Sequence, residues 1–190
     1  MKSTLLVTVG TMAVGLSGCG TLVKQGVHTV LGAQGKFYEI EVVDPAVLAT
    51  YQSIQIEPFS NELGRRVPAE VVREVNENTP QTVDAAHLFY PNGKRLRVKG
   101  RIVHFTGRSG LVGAVGSVIS GAEDCVCRVE LLDDASGERI GEAVCWAVVK
   151  SALRRGADEF GEGVGKGVAS WLERRLPEDV VKARREELKD

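Results

Sequence analysis

The feature that most constrains the fold is a change of hydrophobic period along the chain. Apolar side chains recur at every second residue in four stretches: Tyr51–Glu57, Leu96–Phe105, Cys125–Leu132 and Arg139–Val149. A period of two is typical of half-buried β-strands, because successive side chains point to opposite faces of a sheet. Phe37–Val43 is also rich in strand-forming residues and ends at Asp44-Pro45. The pattern therefore predicts about five strands.

Two other stretches have helical spacing. After Pro68, the side chains of Val71, Val72 and Val75 form a short stripe, and Asn78-Thr79-Pro80 predicts its end. The second runs from Asp158 to Arg175, and its predicted buried residues lie four apart: Phe160, Val164, Val168, Leu172 and Leu176. The order β-β-α-β-β-β-α predicts an α+β fold, with a single sheet of about five strands and two helices packed on it.

The second helix contains an unusual number of glycines. Gly161, Gly163, Gly165 and Gly167 lie in its interior, where each costs about 1 kcal/mol relative to alanine. A phosphate-binding loop is excluded, because Gly167 stands where a hydroxyl residue is needed and the first glycine position is not glycine. The glycines therefore predict close packing against a neighbouring element, and no nucleotide or other cofactor is expected.

A second glycine-rich segment, Gly107–Gly121, joins two of the predicted strands. It lacks the Gly-x-Gly of a dinucleotide loop, and no charged residue interrupts Ser109 to Ala122. One interpretation is a connection that folds back onto the domain. The other is an apolar surface for a partner or a bilayer, too short for a spanning helix but near the length of a membrane hairpin.

Three cysteines follow this segment. Cys125 and Cys127 share one face of a predicted strand, and Cys145 lies on the next strand, level with Cys127 or one residue away. A disulfide between Cys127 and Cys145 is one interpretation, and burial of all three as small apolar side chains is the other. A zinc site is not expected, because no fourth ligand lies nearby.

The charges point to no catalytic or nucleic-acid function. The chain has 24 basic and 25 acidic residues, whereas a nucleic-acid partner requires a basic surplus. The three histidines lie in separate segments, and no nucleophile, base and orienting group are recognisable together. We therefore expect no enzyme, no catalytic residues and no metal.

The first nineteen residues form a leader. Lys2 precedes an apolar stretch, Leu5 to Leu16, and Leu16-Ser17-Gly18-Cys19 follows. This leader resembles the bacterial lipoprotein signal, in which such a motif is the lipobox. The resemblance implies cleavage before Cys19 and lipidation of its sulfur, so that acyl chains on Cys19 hold the protein to a membrane. An ordinary secretory signal is the alternative.

The resemblance also suggests a location and an organisation. Gly20 stands where lipoproteins retained in the inner membrane usually have aspartate, which favours the periplasmic face of the outer membrane. We expect four parts: a signal peptide at 1–18, the lipidated cysteine and a tether at 19–36, an α+β periplasmic domain at 37–176, and a charged, largely solvated tail at 177–190.

The domain itself resembles uncharacterised bacterial outer-membrane lipoproteins. The resemblance lies in Tyr51–Phe59, with its Glu-Pro-Phe ending, in Gly100–Phe105, and in Val129–Glu138 after the glycine-rich segment. It implies a fold like the periplasmic domain of curli-secretion lipoproteins and assigns no catalytic residue. We expect a non-catalytic envelope interaction module that contacts other envelope proteins or itself. The alternative is a subunit of an oligomeric lipoprotein ring or secretion assembly.

Overall fold

The computed structural model describes residues 33–107, 123–149 and 158–188. Its architecture is α+β, as the hydrophobic periods predict. The strands are β1 (Gln34–Glu41), β2 (Ser53–Ile56), β3 (Ser60–Asn61), β4 (Arg95–Thr106), β5 (Glu123–Asp133) and β6 (Arg139–Val149). The helices are α1 (Pro45–Ala49), α2 (Ala69–Asp84), α3 (Asp158–Arg175) and α4 (Glu178–Glu187), and a 3₁₀ turn covers Gly64–Arg66. The predicted Gly107–Gly121 segment lies outside the described residues, apart from Gly107.

The strands form one mixed sheet in the order β1-β6-β5-β4-β2, and β3 also pairs with β4. The neighbours β4, β5 and β6 are antiparallel, whereas β2 and β3 run parallel to β4. The predicted turn between β5 and β6 is present, with Gly137 at φ +73°, a region that glycine adopts without strain. Strand β1 lies at the edge and pairs antiparallel with β6.

Strand β1 begins earlier than expected. Gln34 is its first residue, inside the predicted tether at 19–36. Its N-terminal half packs under α3, where a methyl group on Gly35 would collide with the backbone of Gly163 and Gly167. Gly35, one of the scattered glycines that suggested a tether, therefore allows β1 to pack closely against α3.

The residues Asp44-Pro45, which we expected only to end a strand, also begin α1. The Asp44 side chain accepts a hydrogen bond from the Ala46 amide at 2.8 Å, and Pro45 occupies the first helical position. This is the usual N-terminal arrangement of a helix. Leu48 is the buried residue of this short element.

Helix α2 is longer than predicted. The expected stop at Asn78-Thr79-Pro80 is wrong, because the helix continues through Pro80 to Asp84. Its buried residues lie four apart from start to end: Val71, Val75, Thr79 and Val83. The Thr79 hydroxyl donates a hydrogen bond to the Gly161 carbonyl of α3 at 3.2 Å. Burial of this stripe outweighs the local cost of a proline inside a helix, about 3 kcal/mol.

Helix α3 has the predicted bounds, and its apolar stripe from Phe160 to Leu176 is buried. Its glycines face two neighbours. A methyl group on Gly163 would lie 2.5 Å from the Cβ of Ala147 on β6, and one on Gly165 would lie 2.6 Å from the Cβ of Thr82 on α2. The predicted close packing is therefore confirmed: the glycines let α3 approach both the sheet and α2.

The tail predicted at 177–190 is not simply solvated. Glu178–Glu187 forms α4, in which Val181 and Arg184 are buried. The Arg184 guanidinium donates to the carbonyls of Leu88 and Tyr51, each at 2.8 Å, and to that of Ala49 at 3.1 Å. The charged composition of this segment predicted a solvated tail, whereas the segment forms a helix that packs on the domain.

Candidate functional site

The predicted lipidation site, Cys19, lies outside the described residues, as does the whole predicted signal peptide. The three later cysteines are described. Cys125, Cys127 and Cys145 are buried free thiols, on the sheet face that α3 covers. Burial raises the pKa of the Cys145 thiol well above its ordinary value, which disfavours the reactive thiolate.

The sheet register brings two of these cysteines together. Cys127 lies directly across from Cys145, so the side chains share one face, as a disulfide would require. A methyl group on Gly167 of α3 would lie 3.3 Å from the Cβ of Cys145. All three cysteines are buried, and the disulfide between Cys127 and Cys145 stays a prediction.

The second face of the sheet carries a band of ion pairs. Glu41, Glu142 and Glu130 are register neighbours on β1, β6 and β5, where three like charges side by side would repel one another. The Arg139 guanidinium lies 2.9 Å from the Glu41 carboxylate, 3.4 Å from that of Glu142 and 3.6 Å from that of Glu130. The band therefore has its own counter-charges.

Glu142 is the centre of this band. Its side chain is 2% exposed and pairs with the Arg128 guanidinium, which lowers the pKa of the Glu142 carboxyl below its ordinary value. Arg101 extends the band to Glu62, with a nitrogen-to-oxygen distance of 3.4 Å. Each Glu142 carboxylate oxygen therefore faces a guanidinium: Oε1 faces that of Arg128 and Oε2 faces that of Arg139.

An exposed apolar edge lies beside this band. Among the described residues, all four large apolar side chains that are strongly exposed fall between residues 38 and 47: Tyr38 (69%), Ile40 (49%), Val42 (63%) and Val47 (39%). Tyr38 and Ile40 alternate on β1 with Glu39, which points to the helices instead. Tyr38 and Ile40 lie on the edge strand β1, Val42 follows it, and Val47 lies in α1, so the four exposed side chains fall within ten residues of the sequence.

On β1, Tyr38 and Ile40 are exposed whereas Glu39 points to the helices, and this arrangement has a specific cause. The Glu39 carboxylate accepts a hydrogen bond from the Trp171 indole at 2.8 Å and pairs with the Arg175 guanidinium. Hydrogen bonding to Arg175, and then to Trp171, lowers the pKa of Glu39. Because Glu39 has these partners on the helix side, the alternation of β1 places Tyr38 and Ile40 on the opposite side, where they are exposed. Alternation alone could not show which parity is exposed.

A concave region of about 580 Å³ lies where α1 meets the β5–β6 turn. The Asp133 carboxylate accepts hydrogen bonds from the Tyr51 hydroxyl at 2.9 Å and from the Ser136 amide at 2.8 Å, and Lys94 Nζ lies 3.4 Å away. These bonds, that of Ser136 first, lower the pKa of Asp133. Burial and the bond to Asp133 raise the pKa of Tyr51 to about 12.

This concavity is built around a turn. Asp133 receives its bonds from residues that fix the β5–β6 connection, an arrangement typical of aspartate in turns. In the described part of the chain, no group of three histidine, cysteine or acidic side chains is placed to hold a metal ion. Residues 33–107, 123–149 and 158–188 also include no helix with the length and apolarity needed to cross a bilayer.

Comparisons with known proteins give a distant likeness only. No protein-family model and no curated protein matches the chain. Among solved structures, the PelC dodecamer from Paraburkholderia phytofirmans is 12% identical, with a TM-score of 0.49 over 73% of this chain and 98% of that chain. A protein from Caulobacter crescentus CB15 described as a candidate lipoprotein is 10% identical, with a TM-score of 0.34 over 74% of this chain and 95% of that chain. At these scores neither likeness carries an argument about function.

Proposed function

We propose that the chain is a membrane-anchored bacterial lipoprotein whose domain is a non-catalytic interaction module of the cell envelope. The observation that carries this proposal is the exposed apolar edge of Tyr38, Ile40, Val42 and Val47. Exposed large apolar side chains grouped on an edge strand and on the segment that follows it are costly in an isolated domain and are typical of surfaces that bind a partner. The leader that ends at Cys19 supplies the proposed anchor, on the periplasmic face of the outer membrane.

The polar clusters of the described residues support a non-catalytic role. Glu142 pairs with Arg128 and Arg139, and Asp133 accepts hydrogen bonds from the Tyr51 hydroxyl and the Ser136 amide. A general acid or base needs a free position toward its substrate. A thermal-shift screen with nucleotides, sugars and metal ions tests this part of the proposal. A rise of several degrees with one ligand would contradict it.

The anchor is tested separately. Cys19→Ser should abolish labelling by radioactive palmitate and release the protein from membranes, because the acyl chains hold it there. Cys127→Ser is the matched control, since a buried cysteine is not a lipidation site and its variant should still be labelled. Persistent labelling of Cys19→Ser would contradict the anchor.

The apolar edge is tested by substitution. Replacement of Tyr38 and Ile40 by serine should leave the circular dichroism spectrum and the unfolding midpoint nearly unchanged, because both side chains are exposed. Cross-linking to envelope proteins in cells should fall, whereas Lys36→Ser, on the same face of the same strand, should preserve it. Unchanged cross-linking in the double variant would contradict a role for this edge.

A ring or secretion-assembly subunit is the second candidate. The same edge strand favours it, because β1 has only β6 as a neighbour among the described residues, and such an edge can pair with another copy of the chain. Light scattering on the detergent-solubilised mature protein separates the two candidates. A defined large oligomer would favour the ring, and a monomer would exclude it.

A further inference from the structure

The concave region between α1 and the β5–β6 turn is continuous with the exposed apolar edge. Val42 and Val47, two of the four exposed apolar side chains, line it together with the half-buried Ile140. Its volume of about 580 Å³ lies within the range of ligand sites, about 300–1,000 Å³. We call this region the α1 groove. Its apolar lining is open to solvent and has room for several side chains of a partner.

The charged side chains that line the α1 groove are mostly acidic. Glu41, Asp44, Asp133 and Glu138 are the acidic ones, and Lys94 and Arg139 are the basic ones. Four carboxylates and two cations give the lining a formal charge of −2. The whole chain has a formal charge of −1, so this one region is more negative than the chain as a whole.

The two cations of the α1 groove already have partners. Lys94 Nζ lies 3.4 Å from the Asp133 carboxylate, and the Arg139 guanidinium lies 2.9 Å from that of Glu41. Arg139 is also shared with two carboxylates of the ion-pair band. The groove therefore retains negative charge that its own cations do not balance.

Asp44 and Glu138 carry this remaining charge. Both are exposed, and within residues 33–107, 123–149 and 158–188 neither has a basic side chain at ion-pair distance. One Asp44 oxygen accepts the bond from the Ala46 amide that begins α1, which holds the side chain in place. The Glu138 carbonyl accepts a hydrogen bond from the Asp133 amide at 2.9 Å, which fixes the turn beneath it. A partner would therefore find both carboxylates on an ordered backbone, which lowers the entropic cost of binding.

The free edge of β1 leads into the α1 groove. Strand β1 ends at Glu41, which lines the groove, and Val42 follows it. Among the described residues, β1 has only β6 as a neighbour. A free edge of this kind accepts an extended segment through main-chain hydrogen bonds. The shape of the site therefore favours an extended partner over a helical one.

We infer that the α1 groove binds an extended segment of another envelope protein that carries both apolar and basic side chains. The apolar side chains pack on Val42 and Val47, and the cations pair with Asp44 and Glu138. Arginine and lysine suit this lining, because their aliphatic stems cover apolar surface while their charged heads remain in water. An acidic segment would add like charges and is disfavoured. The inference rests on the proposed function, because Val42 and Val47 belong to the exposed apolar edge.

Fluorescence anisotropy with labelled peptides tests the inference on the full-length chain in a nonionic detergent. The probe is a hexapeptide that alternates valine with arginine, and its matched control alternates valine with glutamate. The unmodified chain should bind the arginine peptide at least about tenfold more tightly, because ion pairs replace contacts between like charges. Equal binding of the two peptides, or no binding of the arginine peptide, would overturn the inference.

Neutralising variants locate the binding. Asp44→Asn combined with Glu138→Gln removes two charges, and asparagine preserves the helix cap. This double variant should bind the arginine peptide about fivefold more weakly. Glu70→Gln combined with Glu77→Gln is the matched control, because it removes two exposed charges from α2, away from the groove lining, and should leave the affinity unchanged. Equal affinities of the two double variants would overturn the inference.

A further variant tests the apolar lining. Val42 is 63% exposed, so Val42→Ser should leave the unfolding midpoint nearly unchanged. Its affinity for the arginine peptide should fall about threefold, because apolar surface no longer packs on the bound segment. An unchanged affinity would overturn the apolar contact.

Two other measurements separate this inference from its alternatives. If light scattering shows an oligomer that the arginine peptide dissociates, the groove holds a second copy of the chain and the inference is overturned. Cross-linking in cells that falls when Tyr38 and Ile40 are replaced by serine, but not in the variant of Asp44 and Glu138, would overturn the inference and leave the proposed function standing. Unchanged cross-linking in the variant of Tyr38 and Ile40, together with specific peptide binding, would instead contradict the proposed function.

Discussion

Arg184 gives the sharpest stability prediction of the structure. It is 4% exposed, and its guanidinium donates to three carbonyls that belong to α1 and the loops after α1 and α2. The Ala49 carbonyl lies at the C-terminal end of α1, where the helix itself supplies no partner. Burial lowers the pKa of Arg184, so these bonds must offset a desolvation cost. We predict that Arg184→Met strongly destabilises the docked C-terminal helix.

The magnitude follows from the three bonds. A buried acceptor that loses its donor costs about 1–3 kcal/mol. Methionine keeps most of the side-chain volume but no donor, so three acceptors at the lower bound give about 3 kcal/mol. Arg184→Lys retains the charge but loses the planar fork that reaches separate carbonyls, and should cost about 2 kcal/mol.

Urea unfolding and thermal unfolding of the full chain measure this difference. A loss of about 3 kcal/mol corresponds to a fall in Tm of about 6–12 °C in a domain of this size. Lys182→Met, on the exposed side of the same helix, is the matched control and should change the free energy of unfolding by less than about 0.5 kcal/mol.

Hydrogen exchange distinguishes local detachment of α4 from a loss of stability of the whole domain. If α4 detaches before the rest of the domain unfolds, amides in Glu178–Glu187 will exchange faster in Arg184→Met even where the global midpoint moves little. The role assigned to the three bonds would be refuted if Arg184→Met and Lys182→Met had the same unfolding midpoint and the same exchange rates in α4.

The remaining predictions concern the helix interface, the buried carboxylate and the thiols. Gly163→Ala should lower the free energy of unfolding by about 1–2 kcal/mol, because the new methyl group meets Ala147; a more stable variant would contradict the close packing. The folded-state pKa of Glu39 is lowered, so its contribution to stability is present above its ordinary pKa of 4.5 and is lost as pH falls below it. Glu39→Gln should therefore flatten the loss of stability in urea titrations between about pH 6 and pH 3; an unchanged slope would argue against the pairing. Cys127 and Cys145 should resist iodoacetamide in the native protein and react in urea; failure of both to react in urea without reductant would establish the disulfide.

The sequence predicted those elements whose burial follows a simple period. Helix α3 was recognisable because its stripe from Phe160 to Leu176 is uninterrupted, and β4, β5 and β6 alternate cleanly. The predicted helix α2 was too short because Pro80 is a local stop signal. The stripe that continues through Thr79 and Val83 is stabilised only by packing against α3, which the local sequence does not show. A polar threonine in such a stripe is easy to overlook.

The candidate surface was less accessible to sequence reasoning. Tyr38 and Ile40 look like core residues, and Glu39 looks like a solvated one, until Trp171 and Arg175 are seen on the helix side. Arg184 likewise looks like part of a charged tail, because carbonyl partners from distant loops leave no trace in local composition. In each case a contact between residues more than 90 positions apart decides the environment.

The position of β1 has a consequence for how the chain folds. The first described strand pairs with the last, from Gln34 opposite Val148 to Glu41 opposite Glu142, and is then covered by α3. The β4–β5–β6 meander can form from nearby residues, but β1 gains its place only after nearly the whole chain is available. Pairings of such long sequence separation are slow. We therefore expect β1 to be the last strand to join the sheet during refolding. A chain truncated before β6 would leave β1, with Phe37, Tyr38 and Ile40, without its partner strand and prone to aggregation.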